Sequence, residues 1–265
     1  MPQRRRADPD PGAILAYPPA APPNSLTPMA EILVQLAPIF VYFLIGVLLR
    51  HLNMADPAHG DFVLRLAFFV TLPLLILLTL QDATLTAAKA MLPVANIVVN
   101  LLCLAVVVAM KRMALSRPTQ GAMAMNTMIA NNAFMFPFML AVFGESGFAD
   151  AVLFDFGNAI MVATVTYATA FRYGQGEYDR FAMLKRIGSA PLFWALPIGV
   201  ALSLTGTRLP DTVEGIVSPL AGMSAPLILI ALGIHFSLDL RRFGLVGLAL
   251  TIRMGLGFLF GFGFA

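Results

Sequence analysis

The residues that invite a chemical reading fall in one run, Ala130-Asn-Asn-Ala-Phe-Met-Phe-Pro-Phe-Met-Leu-Ala-Val-Phe-Gly144. There two amides, Asn131 and Asn132, and a proline, Pro137, stand among apolar neighbours. Proline removes a backbone donor and clashes with the carbonyl one turn back, so the sequence predicts a helix that kinks or breaks near Pro137. In lipid, the backbone groups freed by such a break persist only where they are buried in protein or line a cavity. The amides lie about 11 to 12 residues beyond Gln120, where the apolar stretch begins, or roughly 16 to 18 Å at helical rise, close to a bilayer midplane. Two readings fit: a solute site offering amides and freed backbone donors, or a proline kink packed on its neighbours with the amides bonded to another helix. The pairing of amides with proline favours the solute site.

A few other polar residues interrupt the apolar runs. Asp155 and Asn158, three apart, share a helix face. Asp155 reads as a proton or cation site, or as an interfacial carboxylate about 10 Å deep at helical rise. Asn158 reads as an extension of the same polar track or as an interhelical hydrogen bond. Arg253, roughly 16 Å inward from Arg242, needs a carboxylate or carbonyl partner, and reads as an attractor of organic anions or as a snorkelling side chain. Ser224, beside Pro226, offers a hydroxyl to the pocket, while His235 reads as interfacial. The alternation Gly255, Gly257, Gly261, Gly263 allows close helix packing.

The elements that must position these residues follow from composition. The 265 residues are 59% hydrophobic and 12% charged, with mean hydropathy +0.83. Soluble domains carry about twice that charged share, so the fold class is an all-α polytopic membrane protein. The net charge of +3 does not signal nucleic acid, because the basic residues sit in short loops between apolar runs and not on one face. The single cysteine, Cys103, excludes an intrachain disulfide and a multi-cysteine metal site.

Residues 1–28 hold Arg4, Arg5, Arg6 and eight of the 19 prolines, the composition of a disordered tail with no signal-peptide core. Met29 reads as an alternative start. Apolar runs give eight spans: 32–49, 63–80, 92–110, 120–143, 149–171, 190–205, 213–238 and 243 to the end. Loops after the odd-numbered spans hold Arg50, Lys111, Arg112, Arg117, Arg172, Arg180, Lys185, Arg186, Arg241 and Arg242, whereas those after spans two, four and six hold Lys89 and Arg208. The first set is therefore expected to be cytoplasmic, with the first span entering from outside.

A repeat runs through this pattern. Ala37-Pro-Ile-Phe-Val-Tyr-Phe-Leu-Ile-Gly-Val-Leu-Leu49 matches Ala190-Pro-Leu-Phe-Trp-Ala-Leu-Pro-Ile-Gly-Val-Ala-Leu202 at seven of thirteen positions, at an offset of 153 residues. The same offset carries Thr71-Leu-Pro-Leu-Leu75 onto Ser224-Ala-Pro-Leu-Ile228. Spans one and two thus match spans six and seven. Five spans per copy is an odd number, so the second copy runs inverted, as in secondary transporters whose sites lie at discontinuous helices near the midplane. The organisation expected is a tail (1–28), a first five-helix repeat (29–172), a loop (173–187) and an incomplete second repeat of three helices (188–265). Counterparts of spans four and five would fall at about 273–296 and 302–324, past Ala265, so a truncated, transport-inactive chain is the alternative expectation.

Ala37-Pro38-Ile-Phe with Ile45-Gly46-Val47 and Arg50, Leu72-Pro73, the run 131–144, Pro226 with Leu232-Gly233, and Arg253 together resemble the auxin efflux carrier family, which includes bacterial carriers of malonate and similar acids. The resemblance covers 29–265. It implies ten helices in two inverted five-helix repeats, a bile-acid-symporter-like fold, with broken helices four and nine crossing at a carboxylate site. Here the chain reaches eight helices, and Phe136 stands where the family usually has glycine. The expected function is a secondary carrier of small organic anions, held by Asn131, Asn132, Pro137, Asn158, Ser224 and Pro226, with Asp155 and Arg253 as ion, proton or anion-steering groups. No cofactor is expected. The expected partners are a small organic acid, the bilayer of the inner membrane and a second copy in a homodimer, with no nucleic acid. A membrane-embedded hydrolase would need a Gly-x-Ser-x-Gly, a His-Glu-x-x-His or paired intramembrane carboxylates, and the sequence has none.

Overall fold

The structure, a computed structural model, describes residues 28–110, 116–129, 132–166, 188–237 and 243–264, with positions 168, 169, 173 and 185 beside them. Every described element is a helix: α1 (Pro28–His51), α2 (Pro57–Leu66), α3 (Leu72–Gln81), α4 (Ala87–Ala90), α5 (Leu92–Ala109), α6 (Arg117–Met128), α7 (Asn132–Met161), α8 (Pro191–Thr205), α9 (Asp211–Gly222), α10 (Ser224–His235) and α11 (Phe243–Phe264). Wider π turns, Ala67–Thr71 and Val162–Thr166, join α2 to α3 and extend α7. Among the described residues six stretches are long and apolar enough to cross a membrane: Ile32–His51, Pro57–Gln81, Ala87–Ala109, Met135–Met161, Asp211–His235 and Val246–Gly263. Large apolar side chains such as Leu204, Phe258, Leu259 and Phe262 point outward. Lipid is the solvent that suits them, and the chain is an all-helical, multi-pass membrane protein.

Three expected spans differ from the sequence reading. The expected span 120–143 is not one helix. α6 stops at Met128, Ile129 is extended (φ −85, ψ 130), and α7 begins at Asn132. The break therefore precedes Pro137, which lies inside α7. The next expected span, 149–171, continues from α7 across Gly144, whose φ of 65 and ψ of −162 suit glycine alone. The chain folds back there. Phe136 and Phe148 would lie about 18 Å apart along a straight helix, yet their rings meet edge to face at 5.4 Å. A third difference is length: α8 has 15 residues, or about 22 Å, less than a hydrocarbon core of roughly 30 Å.

The helices pack in two groups. In one, α1 lies against α10 and α3 against α8, with α2 on α10 and α9 on α3. In the other, α5 packs on α6 and on α7, and α11 packs on both α5 and α6. The part of α7 before Gly144 joins them, since Phe136 shares a core with Leu72, Leu196 and Ile228. The tightest contacts of the first group fall on glycines. A Cβ on Gly46 would stand 2.0 Å from the Ile230 carbonyl oxygen, one on Gly233 would stand 2.1 Å from that of Phe43, and one on Gly199 would meet Leu80 at 2.8 Å. Each helix pair also closes with a side chain donating to a partner carbonyl. Arg50 Nη1 donates to Ile234 O at 3.2 Å, and Ser203 Oγ donates to Ala83 O at 2.6 Å. These closures lie at opposite membrane faces: the first is near the start of the 57–81 helix, where Asp61 meets His235 at 3.3 Å, and the second is at its far end.

α2 starts at Asp56, which caps the helix by accepting from the His59 backbone amide while the His59 ring accepts from the Asp56 amide. The bond from the His59 amide to the carboxylate, and after it the His59 ring 2.8 Å from Asp56 Oδ1, hold the Asp56 carboxyl below its ordinary value. The glycines of α11 allow close packing, but nothing described lies within 4 Å of a Cβ built on Gly255, Gly257, Gly261 or Gly263.

Candidate functional site

α6 and α7 create the first part of the site by not being one helix. In a continuous helix the carbonyls of Thr127 and Met128 would accept from the amides four residues on, at 131 and 132. They accept instead from Arg253 Nη1 on α11, at 3.4 Å and 2.6 Å. A guanidinium thus stands at the carbonyl end of α6, where the helix dipole favours positive charge. The same nitrogen donates to Asn100 Oδ1 at 2.5 Å, and Asn100 Nδ2 donates to Asn96 Oδ1 at 2.6 Å. Arg253 cannot accept, so its donation fixes which face of the Asn100 amide is oxygen, and that in turn fixes Asn96. Cys103 packs beside the guanidinium.

Asn96, Asn100 and Cys103 are fully buried and lie on one face of α5, with Val99 and Val107. The chain of amides ends against α7. A Cβ on Gly157 would lie 2.8 Å from Asn96 Cβ and 2.2 Å from the Pro93 carbonyl oxygen, so the helices touch through the absent side chain. Asp155 and Asn158 flank that glycine, and Asn158 Nδ2 donates to Asp155 Oδ1 at 3.0 Å. Arg253, Asn100 and Asn96 therefore form one hydrogen-bonded polar chain across α11 and α5, which meets α7 at Gly157, next to Asn158.

Pro137 and Ser224 meet elsewhere, at a cavity between α3, α7 and α10 lined also by Leu72, Phe136, Phe148 and Ile228. Its free space is about 10 Å³, room for at most one water. Ser224 is buried and its hydroxyl donates to the Ala221 carbonyl at 2.7 Å. Thr71, its counterpart at the 153-residue offset, is likewise buried and donates to Ala67 O at 3.4 Å. Both hydroxyls sit where a helix is interrupted two residues before a proline, Pro73 or Pro226. Pro226 occupies the first turn of α10, where a missing amide leaves no intrahelical bond unmade.

Of the residues expected from the sequence, the structure thus brings Pro137 to Ser224 and Asp155 to Asn158, and it gives Arg253 carbonyl partners. Asn132 opens α7, and Asn131 lies outside the described residues. Sequence reading passed over Asn96, Asn100 and Thr127. The spacing of Asn96, Asn100 and Cys103, one helix face, was the available signal.

Two transporters share the chain's pattern over most of its length. An uncharacterized transporter of Methanothermobacter thermautotrophicus is 27% identical over 209 residues, covering 77% of this chain and 68% of the relative. Another, from Methanocaldococcus jannaschii, is 22% identical over 228 residues, covering 83% of this chain and 72% of the relative. No family model and no solved structure matches the chain. The likeness to transporters and the multi-pass helical fold together support a membrane transporter.

Proposed function

We propose that the chain is a secondary carrier of small organic anions, related to the auxin efflux carriers, with its solute held at the helix break between Ile129 and Pro137. The observation that carries this reading is the interrupted helix with a half-buried guanidinium at its freed carbonyls. Irregular backbone and charge inside a membrane bundle are costly, and in carriers they mark the solute or ion path. α7 starts at Asn132, and its first amides face the break, a position that favours anions.

An inverted repeat is part of the proposal, and paired contacts support it. The 153-residue shift carries Gly46 onto Gly199 and Leu80 onto Gly233, and the contacts Gly46–Gly233 and Gly199–Leu80 are both present. It also carries Arg50 onto Ser203: Arg50 donates to a carbonyl of α10 and Ser203 to the Ala83 carbonyl just past the end of α3, at opposite membrane faces.

Uptake of labelled malonate into liposomes holding the purified protein tests the reading. Uptake above that of empty liposomes is expected, and Asn131→Ala and Asn132→Ala should weaken malonate binding by roughly 1 to 3 kcal/mol per lost charge-assisted bond. Empty-liposome rates for every organic acid tried would overturn it.

A further inference from the structure

We propose that Arg253, Asn96 and Thr127 form a buried carboxylate subsite. The inference rests on the carrier reading and names the groups that take the anionic end of the solute. The described partners of Arg253 are neutral oxygens: the Asn100 amide and the carbonyls of Thr127 and Met128. Among the described residues no carboxylate pairs with it. Dipoles therefore carry the whole compensation of a charge held inside the bundle.

The neighbouring donors are also unspent. Among the described residues Asn96 Nδ2 and Thr127 Oγ1 have no hydrogen-bond partner, although both side chains are fully buried. Both residues are tied to the guanidinium. Thr127 touches it through its own carbonyl, and Asn96 through Asn100. Because every bond in the Arg253–Asn100–Asn96 chain points the same way, the polarisation of one amide adds to the next, and the terminal Nδ2 becomes a stronger donor. A ligand here meets donors and a positive charge. A cation is repelled and a neutral acceptor leaves the charge uncompensated, whereas a carboxylate satisfies both.

Cys103 packs against the same guanidinium and is the chain's one cysteine, so it reports occupancy without any substitution. The purified protein in nanodiscs is titrated with malonate by calorimetry, and the rate of Cys103 alkylation by N-ethylmaleimide is followed with malonate, malonamide, chloride or phosphate. Malonate should bind and slow alkylation several-fold, and neutral malonamide should do neither. Asn96→Ala and Arg253→Gln should each weaken malonate at least tenfold, with Arg253→Lys intermediate. An unchanged alkylation rate at saturating malonate, with wild-type affinity in Asn96→Ala, would overturn the subsite and leave the carrier reading standing. Protection by chloride or phosphate equal to that by malonate would assign the pocket to inorganic anions and overturn the carboxylate assignment. Absence of malonate binding to the wild type would overturn the subsite, and the carrier reading falls with it only if no organic acid tried is taken up.

Discussion

Arg253 donates a 2.5 Å hydrogen bond to Asn100, and the two residues are separated by 153 positions, the interval that carries Pro38 onto Pro191 and Pro73 onto Pro226. In the proposed repeat they are counterparts. An operation that exchanges two copies moves each residue onto its counterpart, so counterparts can touch only close to the axis of that operation. The polar layer of α5 and α11 would then straddle the repeat axis, where carriers built from inverted repeats keep their sites. Arg253 and Asn100 differ in type, so the centre is asymmetric in charge even where the backbone is paired.

The Asn100–Arg253 bond should be measurable as a coupling. Arg253→Ala strands Asn100 Oδ1 and two carbonyls, and each buried group left unsatisfied costs about 1 to 3 kcal/mol. A cycle with Asn100→Ala, read by thermal unfolding in detergent, should give a coupling of roughly 1 to 3 kcal/mol. Additive single substitutions would remove this bond from the account of the site.

Glycine positions at the paired helix contacts should rank in cost. Alanine at Gly46 or Gly233 drives a methyl into a backbone oxygen, which can move only with its helix, whereas at Gly199 it meets the Leu80 side chain. Overpacking typically costs about 1 to 3 kcal/mol, so Gly46→Ala and Gly233→Ala should lie at or above that range and Gly199→Ala at its lower end. Monodisperse yield and unfolding temperature check the order, and equal losses at all three sites would contradict it.

The two proline-centred matches at one offset stand out in the sequence because proline and glycine have fixed steric meanings wherever they stand. The position of the break was not. Pro137 drew attention, yet the helix opens at Ile129, where Arg253 takes carbonyls that lie 125 and 126 residues earlier in the chain. A contact of that sequence separation leaves no local trace. Asn96 and Asn100 were hidden differently: inside an apolar run they looked incidental, although their four-residue spacing already placed them on one face. Gly144 was legible only as a glycine, and its turn emerged from the meeting of Phe136 with Phe148.

Orientation follows from loop charge. The loops at 111–117 and 172–186, outside or at the edge of the described residues, hold most of the loop cations and should face the cytoplasm. On a Cys103→Ser background, Gly174→Cys should resist an impermeant maleimide in intact cells and react once the membrane is opened. Labelling in intact cells would reverse the topology.

Asp56 should give α2 a pH-dependent start. Its carboxyl is held below the ordinary value by the His59 amide, so the stabilisation is fully present above about pH 4 and fades as the pH falls through the lowered folded value. The unfolding temperature of Asp56→Ala should therefore lie below that of the wild type at pH 7 and converge on it toward pH 3. A gap that stays constant over that range would show that the cap does not depend on the charge.

Phe136 sets a prediction in which stability and transport move in opposite directions. Its ring is 4% exposed, stands edge-on to Phe148 and fills the space beside Pro137 and Ser224, leaving about 10 Å³ free. Removing a buried phenylalanine costs about 3 to 5 kcal/mol when the surroundings do not collapse. The walls here are helices pinned by prolines and close glycine contacts, so collapse should be incomplete and Phe136→Ala should unfold several degrees earlier. The space it leaves adjoins the proposed path of the solute, next to the first turns of α7. Phenylmalonate, bulkier than malonate by one ring, should then gain uptake relative to malonate in Phe136→Ala liposomes, while Phe136→Leu, which refills much of the volume, should show less of both effects. If Phe136→Ala loses stability and the ratio of phenylmalonate to malonate uptake stays at its wild-type value, the cavity is structural packing and the solute passes elsewhere.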